Sequence, residues 1–411
     1  MQFPFKFILK NYLNYCIACN KLFICFSILF FVESTSWAQK TSNNRVILQL
    51  KWKNQFQFAG YYAAVEKGFY QEVGIDVDIK EPINNTSPIY EVLSGKAQYG
   101  IGNSELVIHY MKGEPIVVLA CIMQNSPSVL MVKSSSKIFG PKDLTGKIIE
   151  IDKDQSGIEI MAMLAKEGVR RDQVNTLNST FSLNNFLANK IDALEAYTTN
   201  EPYFLDKFGI SYRLIDPRNY GINFYTECLF TSMDEVQEHP DRVKKFRSAS
   251  IKGWTYALDH PEEIANLIQT KYQSTKTLEH LLFEAETMRK LINPDFIEIG
   301  HSNKERWLTI VETLSQQGLI KKYRNIDNFI YNPNDFDNSR NIRILAAIVI
   351  FLVIVLTILG YYLIRYRNEL TKSSGKILSL VKKTDLQKDE IVRLKSELNL
   401  HDERKIHHEF K

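Results

Sequence analysis

Across residues 45–332, short apolar runs alternate with stretches whose apolar positions recur at helical spacing. That rhythm predicts strands and helices in turn, and so an α/β fold. VILQLKW reads as a first strand, followed by a turn and a helix from Ala59 to Lys67 that closes near Gly68. The alternation from Ile75 to Lys80 gives a second strand. PIYEVLSGK is then a helix ended by Gly95, and AQYGIG is a strand. SELVIHYMKG follows as a helix that Ser104 can cap, with Leu106, Val107 and Tyr110 on one face. PIVVLACIM has the continuous apolarity of a strand buried on both sides.

At Lys133 the composition shifts to the turn-rich SSSKIFGPKDLTGK, and the alternation restarts with the strand KIIEID. The helices IEIMAMLAKEG and FSLNNFLANK and the strand IDALEAY follow, ending near Tyr220. Residues 233–318 are mostly helical, with strong amphipathic spacing in PDRVKKFRSASIKGWTYALDH and PEEIANLIQTKY. The expectation for residues 40–335 is a two-lobed binding domain. Lobe 1 takes about 45–132 plus 230–330, lobe 2 takes about 134–225, and the ligand sits in the cleft between them.

Two apolar runs fall outside this rhythm. In residues 1–38, Lys6, Lys10 and Lys21 precede LFICFSILFFV and then small residues at Ser36 and Ala38, the layout of a signal peptide or of an uncleaved N-terminal anchor. The run over residues 344–364 carries no charge and is long enough to cross a hydrocarbon core, so 342–364 is expected to be a transmembrane helix. Arg365, Arg367, Lys372 and Lys376 follow it, which orients the C-terminus to the cytoplasm despite Arg340 and Arg343 on the other side. Single-pass residence in a bacterial inner membrane, with the binding domain in the periplasm, is the expected localisation.

Bulk composition narrows the classes further. The net charge of +4 is small and shows no basic patch interleaved with aromatics, so no nucleic-acid partner is expected. Three of the five cysteines lie in the leader, leaving Cys121 and Cys228 as two buried thiols or one disulfide. His239, His260 and His301 stand apart from one another, and the tail histidines lack a cysteine or carboxylate framework. Neither a metal nor a cofactor is expected.

Several blocks carry a resemblance: FAGYYAAVEKGFYQEVGIDVDI, GKAQYGIGNSE, IMQNSPSVL, KDLTGK, AYTTNEPYFL, YGINFYTECLF and IKGWTYALDHPEEIANLI. Over residues 45–320 the chain resembles the bacterial substrate-binding family of thiamine-pyrimidine-precursor, nitrate and sulfonate importers, a group that includes the fungal thiamine pyrimidine synthase. The resemblance implies a two-lobed type II periplasmic-binding-protein fold and a small-molecule ligand. A permease of the ABC type is then an expected partner.

Ligands in open α/β sheets lie beyond the carboxyl ends of strands, which points to particular residues. Trp52 after the first strand offers a flat indole face. Tyr61, Tyr197 and Tyr225 are candidates to complete an aromatic box, while Tyr62, Phe69 and Tyr70 have the spacing of core residues. Asn103 and Ser104 follow Gly100 and Gly102, where backbone can approach a ligand, and Gln124 and its neighbour Asn125 follow a strand end. Glu201 is either an acceptor for ring N–H or amino groups or a residue of the helix start at Pro202. Ser156, in the loop DQSG, is a candidate for a phosphate or a simple cap. No arginine stands among these positions, so a planar aminopyrimidine is favoured over the sulfonate or nitrate alternative.

The synthase alternative requires a lysine, a consumable histidine and a cysteine-rich segment, which the resemblance implies. The lysine's place falls on Gly102 and the histidine's near Leu106, while INFYTECLF holds only Cys228. A non-enzymatic binder is therefore expected. Beyond the membrane span, Leu370, Ile377, Thr384, Ile391 and Leu398 recur every seven residues in the 368–411 tail, with Ser373, Leu380, Gln387 and Leu394 between them. This is a coiled-coil-like pattern with polar core positions, suited to a homodimer or to a cytoplasmic signalling partner.

Overall fold

The computed structural model of the chain describes residues 44–83, 86–152 and 157–409. The 1–38 leader and Ser156 lie outside the described residues. The strands are β1 (Arg45–Gln49), β2 (Asp76–Lys80), β3 (Tyr99–Gly102), β4 (Ile116–Met123), β5 (Ser128–Lys133), β6 (Ile148–Ile151), β7 (Asn175–Asn178), β8 (Ala193–Tyr197), β9 (Tyr212–Ile215) and β10 (Thr226–Ser232). The helices that shape the site are α1 (Ala59–Glu66), α2 (Leu106–Met111), α3 (Gly157–Lys166), α4 (Glu201–Lys207), α5 (Pro240–Asp259), α6 (Leu278–Ile292) and α7 (Lys304–Gln316). The last helix is α8 (Pro333–Glu409).

The strands form two five-stranded sheets, ordered β2-β1-β3-β10-β4 and β7-β6-β8-β5-β9. In each, three parallel strands meet a strand that has crossed from the other lobe: β10 runs antiparallel to β3 and β4, and β5 antiparallel to β8 and β9. The turn-rich composition at Lys133 suggests a lobe boundary there, but the second sheet already takes in Ser128–Lys133. The crossing falls earlier, over residues 124–127, because SVLMVK is apolar enough to be a central strand and the polar stretch beyond it is only a surface turn. A second crossing returns between β9 and β10.

Coverage on both faces explains the apolar strands: all eight residues of β4 are buried. The long helix α5 packs on α1 at a contact that only glycine permits, since a Cβ on Gly253 would lie 2.1 Å from the carbonyl oxygen of Gly60. That closeness seats Trp254 fully buried in the first lobe. Cys121 and Cys228 are opposite one another on β4 and β10 as buried free thiols, their sulfurs 3.3 Å apart.

Helix α8 is a compact unit of its own. The stretch beginning at Leu345 is long and apolar enough to cross a membrane, and none of it is buried by protein. A soluble core helix of such composition would be covered, so the exposed apolar surface marks a candidate membrane span.

Candidate functional site

The floor of the cleft is a buried polar cluster. Just past β1, the Lys51 ammonium lies 2.5 Å from Glu227 Oε1 on β10 and also donates to Asn103 Oδ1, just past β3. Gln57 donates to the same Glu227 oxygen and accepts from Gln55. The backbone N–H of Glu227 reaches Asn103 Oδ1 at 3.4 Å. Glu227 is fully buried, and its Oε2 has no hydrogen-bond partner among the described residues. Burial lifts its pKa above the usual carboxylate value, and the nearby Lys51 only partly opposes this. Its backbone has φ 56°, a left-handed conformation inside a strand. Such strain in a residue with a β-carbon costs on the order of 1–3 kcal/mol and concentrates where side chains must be aimed for function.

The walls come from both lobes. Trp52 touches Phe181 of the second lobe, ring centroids 4.7 Å apart and tilted by 55°. Phe181 also has a positive φ of 52°. The Lys51 ammonium lies 5.9 Å from the centroid of the Tyr197 ring at the end of β8, so the loops after β1 and β8 face each other. A cation, an amide and aromatic faces from the carboxyl ends of β1, β3 and β8 thus converge with a carboxylate at the start of the antiparallel β10.

One side of the cleft is latched. Tyr203 on α4 stacks on His280 of α6, centroids 4.2 Å apart and nearly parallel, and its hydroxyl reaches Glu279 at 3.0 Å. Lys207 pairs with Glu279 at 2.9 Å. Lys276 donates to Asn200 across the gap at 2.7 Å while held by the buried Glu284 at 2.5 Å. Burial first, and then the Lys276 charge, push His280 down to about 3, so its ring stays neutral in the stack. At the opposite end the two crossings are tied together: Asn223 donates to Asn125 at 3.0 Å, and Arg306 on α7 donates to the carbonyls of Asn223 and Phe224 at 3.2 and 3.1 Å.

Several expected positions are corrected by this geometry. Tyr61 is fully buried edge-on against Trp254, because the Gly60–Gly253 contact draws α5 over it, so its ring packs the core and is no wall of the box. Tyr225 is buried between the Arg306 guanidinium, 3.9 Å from its ring, and Trp307, and its hydroxyl accepts from the Asn303 backbone. It braces a crossing. Ser104 does not cap α2; its hydroxyl donates to the Tyr225 carbonyl at 2.9 Å. Gln124 spends its amide on the carbonyls of Cys121 and His301, each at 3.0 Å. Glu201 folds back on its own loop, accepting from the Tyr197 N–H at 2.7 Å and from Asn200 at 2.6 Å, so both oxygens serve the start of α4. Trp52, Asn103 and Tyr197 are brought together at the cleft.

Lys51, Gln57, Phe181 and Glu227 escaped the sequence reading. Lys51 and Glu227 carried one usable signal: each is a charge inside an apolar strand context, which folds only if the two meet. Phe181 had none, since its approach to Trp52 depends on closure of the lobes.

Two sheets with crossed strands and a cleft at their carboxyl ends define a protein of the periplasmic-binding type. The chain belongs to the NMT1/THI5-like family, whose model matches residues 55–264. It is 24% identical over 288 residues to the formylaminopyrimidine-binding protein of Halalkalibacterium halodurans, covering 67% of this chain and 86% of that one. It is also 24% identical to the 4-amino-5-hydroxymethyl-2-methylpyrimidine phosphate synthase of Legionella pneumophila, over 63% of this chain and 84% of the relative. Among solved structures, the periplasmic aliphatic sulphonate binding protein SsuA of Escherichia coli superposes with a TM-score of 0.56 at 14% identity, over 71% of this chain and 93% of that one. The relatives therefore include proteins named as a binding protein and as an enzyme.

Proposed function

We propose that the chain is a membrane-tethered extracytoplasmic binding protein or sensor for a small planar amino-heterocycle, a thiamine pyrimidine precursor being the favoured class. The observation that carries this reading is Glu227: a buried carboxylate whose second oxygen has no partner among the described residues, joined through Lys51 to a cleft with aromatic faces from both lobes. Such an oxygen accepts a ring N–H or exocyclic amino group, and the indole of Trp52 covers the ring face. An oxyanion fits poorly, since the cation at this floor, Lys51, is already held by Glu227. The name of the relative from Halalkalibacterium halodurans supports the same class of ligand.

The protein traps its ligand without reacting with it. Gly102 stands where the synthase resemblance places its lysine, so no amine is present there to form a Schiff base. The body faces the periplasm from a single membrane pass, with the tail in the cytoplasm. There the seam side chains Leu370, Ile377, Leu380, Ile391, Leu394 and Leu398 are exposed and pair with a second copy, so that lobe closure reaches a cytoplasmic partner or a permease.

The test is a thermal-shift screen of the full chain in detergent against aminopyrimidines, flavins, taurine and nitrate. An aminopyrimidine should stabilise it, and Glu227→Gln with Trp52→Ala should abolish the shift; stabilisation by taurine or nitrate alone would overturn the reading. Cysteine cross-linking at 377 and 391 should change when ligand is added, and an identical pattern with and without it would exclude the signalling arm.

A further inference from the structure

A groove of about 590 Å³ runs between the lobes along α2 and α3, away from the polar floor. Its apolar lining includes Ile108, Ile151, Ile158 and Met161. At its inner end stands Glu105, next to Asn103, whose N–H it binds at 3.0 Å through one oxygen. The other oxygen, Oε2, is buried without a hydrogen-bond partner among the described residues, and burial holds the carboxyl above its usual pKa. At the outer end stand Lys112, on the next residue after α2, and Arg171, both exposed and neither in an ion pair among the described residues. Glu105 and Lys112 cap the two ends of α2, seven residues apart, which at helical rise is about 10 Å.

This volume exceeds the need of a single pyrimidine ring and falls in the range that houses a drug-sized molecule. Water filling it would meet Ile and Met side chains with few hydrogen-bonding partners, so an apolar guest gains by displacing that water. The order along the groove is acid, apolar walls, then two cations.

We propose that the groove is an extension of the ligand cleft that takes the tail of an elongated ligand: an amino-heterocycle joined to a second, electron-poor ring and ending in a phosphate or carboxylate. The second ring lies beside Glu105, between Ile108 on α2 and the Ile158–Met161 wall of α3, and the anion meets Lys112 and Arg171. This rests on the assignment of the polar floor to an amino-heterocycle, which it extends from one ring to a longer ligand.

Isothermal titration of the full chain in detergent, with three probes, tests both. 4-Amino-5-hydroxymethyl-2-methylpyrimidine reports the floor, thiamine adds the second ring, and thiamine monophosphate adds the anion. Thiamine monophosphate should bind at least tenfold tighter than the pyrimidine. Lys112→Glu with Arg171→Glu should remove its advantage over thiamine, and Met161→Trp should weaken both long probes while sparing the pyrimidine. The exposed positions of the two cations keep the reversal from disturbing the fold. If the pyrimidine binds but length and phosphate bring no gain, or the gain survives the charge reversal, the groove assignment is overturned alone. Binding by none of the three overturns both assignments.

Discussion

Replacing Lys51 by methionine removes a cation whose side chain is 5% exposed from beside a carboxylate that is fully buried. The aliphatic stem is nearly preserved, so the perturbation is mainly the loss of charge and of the hydrogen bond to Asn103. Stranding a buried charge costs on the order of 3–5 kcal/mol. Glu227 has an escape, however, because it can take up a proton. The penalty for protonating a carboxyl of ordinary pKa is about 1.4 kcal/mol for each pH unit above roughly 4.3. That caps the electrostatic cost at about 3.7 kcal/mol at pH 7 and about 1 kcal/mol at pH 5. The sign follows from linkage: in the variant the folded state holds a proton that the unfolded state releases, so stability is present in acid and is lost as pH rises through the ordinary carboxylate range. Urea unfolding of the full chain in detergent, followed by tryptophan fluorescence at pH 5, 6, 7 and 8, reads the slope. Lys51→Met should decline with pH more than the wild type, in which Lys51 still opposes the upward shift of Glu227, and Lys51→Met with Glu227→Gln should lose the part of the decline that Glu227 contributes. A penalty for Lys51→Met that is the same at every pH would show that Glu227 does not depend on Lys51 for its charge, and the account of the cleft floor would fail.

Further outcomes follow from other buried groups. Glu159 on α3 is held up to about 8, chiefly by burial, so the folded state keeps its proton and wild-type stability should decline between about pH 4.5 and 8; Glu159→Gln should flatten that decline and gain about 1–3 kcal/mol at pH 7.5 in the same urea assay. The Tyr61 hydroxyl is buried without a hydrogen-bond partner among the described residues, so Tyr61→Phe should be neutral or stabilising by up to about 1 kcal/mol and leave ligand affinity unchanged in titration calorimetry. Glu279→Lys should repel Lys207 and loosen the Tyr203–His280 stack, weakening ligand affinity several-fold through faster release in stopped-flow measurements. At Gly157 a Cβ would lie 1.9 Å from the Asp152 carbonyl oxygen, so Gly157→Ala should lower the melting temperature by several degrees in a thermal ramp.

The sequence by itself determined the class of fold. Apolar periods of two and of 3.6 recur because each strand must bury a face and each helix a stripe, and those periods survive in the chain whatever the loops do. It also determined the apolar stretch after Leu345, since length and lack of charge are properties of composition. The candidate site was legible only in part. Trp52, Asn103 and Tyr197 could be picked from their strand ends, because such sheets open their clefts there. What tertiary structure alone decided is which polar groups spend their hydrogen bonds on the fold and which keep an oxygen unpartnered among the described residues. Glu201 and Gln124 turn inward to backbone only ångströms away, whereas Glu227 sits in a strand like any other, and its free oxygen appears only once Lys51 and Gln57, over a hundred residues distant in the chain, have taken the first. Hydrogen-bond satisfaction is a property of three-dimensional neighbours, and sequence spacing does not encode it across so wide a separation.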